Sequence, residues 1–509
     1  MRRFLQYPWY VLLFAIYSPL ALIAYNTGQV ALGAVTRSLL VILAAVFVLT
    51  ALIFLLVRDA QKTGLIATLI LFAFFSYGHV YDLIYKMNVG GVLIGRHRYL
   101  IPVYLVILGV LIVWVVRSKR SFAQVSSTLT TIAIVMLLFP VYNLVIYDLR
   151  SGTPEASASA AQSAVTQTSP GEKLPDVYYI ILDTYGRTDV LKKYADYDNS
   201  QFIQSLKDLG FYVAECSQSN YAHTGFSLAS SLNSNYLDKL GLDFSNEASK
   251  REDIVAPYIK HNAVADRMRQ MGYRIVAFET GYDFTTLDDT DILYPAPQSG
   301  LSDFELILLR STALVYLDDA GRFKAIHPTA LGDKQAMILS QFKTLKELPS
   351  VPGPKFVFAH ILSPHFPYVF GPNGESLIGT ELTKNEGDLT TREYFQGYHG
   401  QAIFTSKQIL EVIAEIIKSS ATPPIIIIQG DHGPSHAGEK ARMRILNAYY
   451  FPGGKTAGLY PEITPVNSFR VMFNTYFNAR FELLPDISYY SNKSSPDKTT
   501  IIQSDCKPQ

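Results

Sequence analysis

The sequence predicts a two-part molecule: an N-terminal five-helix transmembrane domain and, after a tether, an α/β extracytoplasmic domain whose mostly parallel sheet is sandwiched by helices. Three observations carry this expectation. Long charge-free apolar stretches crowd into the first 150 residues, a Ser/Ala/Thr-rich segment follows, and short continuous apolar runs then alternate with helix-period segments.

The chain has 509 residues, room for two or more domains, and its mean hydropathy of +0.15 is high for a wholly soluble protein. The surplus is concentrated in Tyr7–Gly28, Ser38–Val57, Gly64–Tyr81, Tyr99–Val116 and Ser126–Tyr147. Each is about 18 to 22 residues long, enough to cross roughly 30 Å of hydrocarbon at 1.5 Å per residue. Tyr7–Gly28 is too long in its apolar core for a signal peptide, and further spans follow at once. Residues 1–150 are therefore expected to form five spans in a lipid bilayer. With the N-terminus inside, the cytoplasmic segments hold seven basic residues (Arg2, Arg3, Arg58, Lys62, Arg117, Lys119, Arg120) against four opposite (Arg37, Lys86, Arg96, Arg98). An odd number of spans then puts everything after Arg150 outside the cytoplasm.

Residues 151–173 have no hydrophobic period and read as a flexible linker, leaving 174–509 as the soluble domain. There, Val177–Leu182, Phe211–Ala214, Tyr273–Phe278, Lys355–Ile361 and Pro424–Gln429 read as strands. In Tyr394–Lys418, Ile403, Ile409, Val412, Ile413 and Ile416 recur at helical spacing. Continuous apolar strands separated by helices indicate a parallel sheet covered on both faces, with ligands beyond its carboxyl ends. Asp183, His365 and Asp431 all lie just past such ends.

Gly430-Asp431-His432-Gly433 follows the run Ile425–Ile428 directly. An Asp and a His side by side offer an oxygen and a nitrogen to one divalent cation, and the glycines permit a tight turn. Asp183 supplies a second carboxylate. Thr224 heads Thr224-Gly225-Phe226-Ser227-Leu228-Ala229-Ser230-Ser231, which has the form of a helix start. Its hydroxyl either caps that helix or, beside a metal that lowers its pKa, becomes a nucleophile. His365 is either a loop histidine stacked on Phe366 or Tyr368, or a functional one; His436 stands open in the same way. His360, inside an apolar strand, reads as a satisfied core histidine, and His223 as structural.

In this order, strand-Asp183, the Thr224/Ser227/Ser231 segment, His365 in Ser363-Pro364-His365-Phe366-Pro367 and Gly430-Asp431-His432-Gly433 resemble the alkaline phosphatase and sulfatase superfamily. With the apolar stretches in front, the chain most resembles its membrane-anchored branch, which includes lipoteichoic acid synthases and the phosphoethanolamine and phosphoglycerol transferases of bacterial envelopes. The resemblance implies an alkaline-phosphatase-like fold, with Asp183, Asp431, His432 and Thr224 as metal ligands and Thr224 also as nucleophile. It implies a phospho-head-group moved from a lipid donor, through a covalent threonine intermediate, to an envelope glycan or lipid. His365 and His436 would bind the group's oxygens or protonate a leaving oxygen, at a bacterial inner membrane.

Departures from the family pattern refine this. The sulfatase nucleophile motif Cys-x-Pro-x-Arg is absent: Thr224 is followed by Phe226 and Leu228. The paired aspartates of sulfatases are replaced by Asp183-Thr184, and the transferase branch usually has Glu there. No Asp-x-x-x-His cluster for a second ion is evident, so one divalent ion is expected, Mn²⁺ or Zn²⁺ from the mixed oxygen and nitrogen ligands. The alternatives are a phosphatase- or sulfatase-type ester hydrolase of the same superfamily and a non-catalytic membrane binding protein. The net charge of +1, with no basic stripe, gives no argument for a nucleic-acid partner. Cys216 and Cys506 set no disulfide framework, and their separation in sequence leaves their pairing open.

Overall fold

The computed structural model describes residues 7–27, 30, 32–90, 92–150, 174–242, 251–287, 289–297, 301–320, 328–383, 386–492 and 495–506. The expected linker at 151–173 lies outside them. Five apolar helices come first: α1 (Tyr10–Tyr25), α2 (Val35–Val57), α3 (Ala60–Ile84), α4 (His97–Arg117) and α5 (Ala123–Arg150). Then follow β1 (Val177–Leu182), β2 (Tyr212–Val213), α6 (Thr224–Asn233), α7 (Ala263–Gln270), β3 (Arg274–Phe278) and β4 (Ile292–Tyr294). Further elements include α8 (Asp303–Arg310), α9 (Val315–Asp319), α10 (Pro328–Glu347), β5 (Lys355–Ile361), α11 (Thr391–Ser419), β6 (Ile425–Gln429), β7 (Asn447–Tyr450) and α12 (Pro465–Tyr476). Two compact units emerge: Met1–Arg150 with Gly300–Ala330, and Ser151–Ser299 with Leu331–Gln509.

In the first unit, α2 to α5 are long and apolar enough to cross a membrane. Helix α1 has only 16 residues, short of the ~20 a span requires. The expected stretch is trimmed by Pro8 at its start and by Asn26 at its end, whose side-chain amide bonds back to the Leu22 carbonyl at 2.8 Å. Four of the five anticipated spans thus meet the length. Tyr10, Val11, Ala15, Val46, Ile66, Ala67, Val115 and Ala133 pack between the helices. Outward residues stay apolar: Phe47 is 71% exposed and Leu56 85%, a surface suited to hydrocarbon and not to water.

Helices α8 and α9 join this unit from far along the chain. Phe304 and Leu308 bury against Ile23, and Val315 against Tyr77 and Leu100. A Cβ on Gly78 would meet the Arg310 carbonyl oxygen at 2.3 Å, so only glycine lets α3 pass there. The Ala313 amide donates to the Phe74 carbonyl at 2.8 Å.

The second unit is built on a seven-stranded sheet of order β2-β7-β6-β1-β5-β3-β4. Strands β6, β1, β5, β3 and β4 run parallel, while β7 is antiparallel to its neighbours β6 and β2. The strand bounds agree with the sequence pattern to within a residue or two. The short β4 and β7 were not anticipated because neither makes a distinctive apolar run. Alternate β1 residues feed two cores, Val177, Tyr179 and Ile181 on one face, Tyr178, Ile180 and Leu182 on the other. Residues of α6, α7 and α12 cover the first face; residues of α10 and α11 cover the second. Helix α11 opens with a Thr390/Glu393 capping box and buries Ile409, Val412, Ile413 and Ile416, as its period predicts. Cys216 and Cys506 form a disulfide with their Cα atoms 5.5 Å apart, settling what sequence separation left open.

Candidate metal centre

The parallel register places the chemistry. Leu182 pairs with Ile361, and Ile181 with His360 on one side and Gln429 on the other. Asp183, one residue past β1, therefore sits between His360 near the end of β5 and Asp431 two residues past β6. Ligand atoms of Asp183, His360 and Asp431 all lie within 4.8 Å of one another, and all three residues are buried. His360 Nε2 is 3.1 Å from Asp183 Oδ2. Thr184 holds φ at +66°, an uncommon conformation for a β-branched residue, and its amide donates to Asp431 Oδ1 at 2.9 Å. Behind Asp431, a Cβ on Gly430 would meet the Tyr185 carbonyl oxygen at 2.3 Å, so this glycine serves a close backbone approach where the sequence pattern predicts a tight turn.

Buried atoms on each member of this set lack hydrogen-bond partners: Asp183 Oδ1, Asp431 Oδ2 and His360 Nδ1. An isolated buried polar atom costs about 1–3 kcal/mol, more when charged. Three on one cluster fit a divalent cation, and the two oxygens and one nitrogen suit Mn²⁺ or Zn²⁺. The electrostatics agree. Burial first, and then the Asp183 charge, push Asp431 up to about 7. Burial also opposes ionisation of Asp183, but the His365, His360 and His432 imidazoles outweigh it and hold that carboxyl below its usual range. Two adjacent buried carboxylates resist being ionised together unless a cation joins them.

His432 stands at the edge of the set, its Nε2 3.4 Å from Asp431 Oδ2. Its Nδ1 lies 2.9 Å from the Gly433 carbonyl, which assigns the ring proton there and leaves the Nε2 lone pair facing Thr224 Oγ1 at 3.2 Å. Burial, and then the Arg442 charge, hold His432 well below the ordinary imidazole value, so the ring is neutral. Thr224 is the first residue of α6 and half-buried; the preceding His223 occupies the cap position and no side-chain cap bond forms. The Thr224 hydroxyl is thus turned to His432 instead of the helix end. Ser227 and Ser219 clamp the Asp431 carbonyl, at 2.8 and 2.5 Å.

The remaining expected residues divide. His365 is half-buried, close enough to Asp183 for its charge to act there, and is drawn below its ordinary value by burial. Exposed His436 stacks its ring on Tyr394, centroids 4.1 Å apart. His360 corrects the reading of a satisfied core histidine: one ring nitrogen is orphaned and the other meets Asp183. His223 bonds the Ser491 carbonyl at 2.9 Å, as a structural residue would.

Two residues escaped the sequence reading. Buried Arg442 anchors on the Ala222 carbonyl at 2.7 Å and reaches His432 Nε2 at 3.4 Å. Lys334 of α10 donates to the carbonyls of His365 and Pro367, at 2.8 and 3.2 Å, fixing the His365 loop. Desolvation pulls the Lys334 ammonium down to about 7 against the opposing pull of Asp183. Arg442 lay within sight, nine residues past Gly433; Lys334 sits in a helix with no motif to mark it.

No family model and no curated protein matches the chain. Solved structures do. The C-terminal periplasmic domain of EcEptC from Escherichia coli aligns at 11% identity and TM-score 0.42, covering 67% of this chain and 97% of that domain. The lipoteichoic acid synthase LtaP from Listeria monocytogenes aligns at 12% and 0.38, covering 66% and 83%. The phosphonate monoester hydrolase of Agrobacterium radiobacter aligns at 15% and 0.39, covering 62% and 80%. At such low identity and overlap these likenesses carry no activity over, and the chemistry must be read from the site itself.

Proposed function

We propose that this chain is a membrane-bound, metal-dependent transferase that moves a phospho-head-group, of phosphoglycerol or phosphoethanolamine type, to an envelope glycan or lipid through a covalent threonine intermediate. One observation carries the reading: a cluster of buried acid and imidazole groups with orphaned atoms lies beside a half-buried threonine hydroxyl that faces a neutral imidazole. Asp183, His360 and Asp431 would hold one divalent ion, with His432 and Thr224 bordering it. Such an ion, when bound, neutralises phosphoryl oxygens and makes a nearby hydroxyl more acidic.

The protein's own groups do the rest. His432, pinned by the Gly433 carbonyl, orients the Thr224 hydroxyl and receives its proton as Thr224 Oγ1 attacks the donor phosphorus. The bond from phosphorus to the lipid oxygen then breaks, and His365, held by Lys334 and entering this step as the imidazolium beside the anionic group, gives that oxygen a proton. In a second transfer an acceptor hydroxyl attacks phosphorus, losing its proton to the now neutral His365, and Thr224 leaves with the proton that His432 held. Arg442 offers a fixed cation for the group's negative charge. The four helices long and apolar enough to span support a bilayer setting, in this reading the bacterial inner membrane with the catalytic unit on its outer side.

The test follows a lipid donor radiolabelled in its head group. Label appearing in glycan or lipid acceptor supports the transferase; label released as free phosphoester supports an ester hydrolase on the same residues. If no label moves with Mn²⁺ or Zn²⁺ supplied, the catalytic reading fails.

A further inference from the structure

The far end of α6 carries a second polar site. The helix spans ten residues, from Thr224 to Asn233, so its ends are roughly 15 Å apart at 1.5 Å rise per residue. Past Asn233 the chain turns at Ser234 with φ at +50°, and a cavity of about 180 Å³ opens there, lined by Asn233, Ser234, Arg267, Arg470 and Phe481 among others. Arg267 comes from α7 and Arg470 from α12, so three separate helices converge on the cavity.

Its lining is unusual for a packing defect. Ser234 is 4% exposed and its hydroxyl has no hydrogen-bond partner. Both guanidinium groups rest on one ring, with Arg267 Cζ 4.6 Å and Arg470 Cζ 5.9 Å from the Phe481 centroid. Arg470 is oriented by the Ser234 and Glu482 carbonyls, at 2.9 and 2.7 Å, and forms no ion pair among the described residues. Glu482 is near enough to act on that charge but does not reach ion-pair distance. Burial, and then the Arg470 charge, disfavour the charged form of Arg267. Guanidinium does not deprotonate in proteins, so the two charges persist and repel across the cavity, with Asp266 near enough to offset part of the Arg267 charge. An oxyanion between them would relieve that repulsion, accept charge-assisted bonds and give the Ser234 hydroxyl an acceptor.

We infer that the cavity at the C-terminal end of α6 is a phosphate-binding site, built from Arg267, Arg470 and Ser234 and separate from the candidate metal centre. It takes a single phosphoryl group, either free or within a lipid head group, and it stands whether or not the transferase reading holds. Aromatic support pre-organises both guanidiniums, as in other arginine-lined phosphate sites.

The experiment uses the full chain in detergent, chelated and carrying Thr224→Ala so that the metal centre contributes no phosphate affinity. Inorganic phosphate is titrated by calorimetry, and binding to phosphatidylglycerol vesicles is measured in parallel against neutral vesicles. Arg470→Gln and Arg267→Gln should each weaken phosphate binding at least about tenfold. Ser234→Gly, which suits the positive φ and preserves the fold, should weaken it about threefold. Arginine-dependent binding of vesicles as well as phosphate supports the site and assigns its ligand to a lipid head group; dependence with phosphate alone supports it for a soluble phosphoester. If either arginine variant fails to fold, Ser234→Gly decides. Phosphate affinity unchanged in the folded variants, or no saturable phosphate binding by the parent, overturns the proposal.

Discussion

Two polar clusters in this molecule look alike by composition and differ in burial and in how far their groups are satisfied. Within the first unit, Asp319 Oδ2 takes the Tyr81 hydroxyl at 2.5 Å and His97 Nε2 at 3.0 Å, while Tyr77 closes the ring on His97 Nδ1 at 2.8 Å. Glu305 is clamped by Arg37 and by its own capping box, and Asp318 by Arg310 at 2.6 Å. Within the second unit, Asp183, His360 and Asp431 share a site and leave an orphaned atom each. Both are carboxylate–imidazole clusters. The first is closed by its own donors and reads as structural, holding α8 and α9 on the apolar helices. The second leaves buried acceptor atoms without partners, a donor set that suits a cation. Residue type alone does not make a metal centre; residual coordination capacity does.

The sharpest way to break that contrast is at the open cluster. Thr224→Ala should lower head-group transfer by at least about 10³-fold, the scale for losing a nucleophile, with metal content and melting temperature near those of the parent. Turnover close to normal would shift the nucleophile to Ser227 or another hydroxyl. Asp431→Asn comes next. It should weaken metal binding by two orders of magnitude or more, measured as bound metal after dialysis.

The same variant has a pH signature in the chelated protein. Asp431 is raised to about 7 in the folded state, from an ordinary value of 3.8. A carboxyl raised by folding supports stability fully below its unfolded value, and that support is lost as pH climbs through the folded one. Relative to Asp431→Asn, in which His432 and His365 titrate as in the parent, the unfolding free energy of the chelated parent should therefore fall between pH 4 and 7, by an amount on the order of a few kcal/mol. Added metal should oppose this decline increasingly toward higher pH. A parent profile parallel to the variant's would show that Asp431 is not forced toward its neutral form.

Much of the open cluster was legible because it sits at strand ends. A parallel sheet of apolar strands directs attention to the residue after each run, and Asp183, Asp431 and His432 are such residues. His360 was misread because it lies inside the run: burial of a strand residue says which face it covers but not that a carboxylate meets it across the register. Lys334 and Arg442 act through backbone carbonyls and a side chain brought close only by the fold, which no local pattern encodes. Return of α8 and α9 to the apolar unit was equally invisible. Their signal is Gly78, and a glycine in an apolar helix announces close approach without naming the partner.

The closed cluster offers the smaller effects. Asp319→Asn removes the charge that Tyr81 and His97 share and should cost the full chain about 1–3 kcal/mol in unfolding free energy. Bound metal and head-group transfer per folded molecule should stay at parental values, because every contact of Asp319 lies within the first unit.

Tyr81→Phe is the finer probe. It deletes one donor but leaves His97 Nε2 on Asp319 Oδ2, so the carboxylate remains paired and the expected loss shrinks to about 1 kcal/mol. A graded pair, with Asp319→Asn larger than Tyr81→Phe and neither altering metal content, is what a self-satisfied cluster produces. Were Tyr81→Phe to strip metal from the protein, the clusters would be energetically coupled, and the orphaned atoms of Asp183, His360 and Asp431 would no longer suffice to explain where the ion belongs.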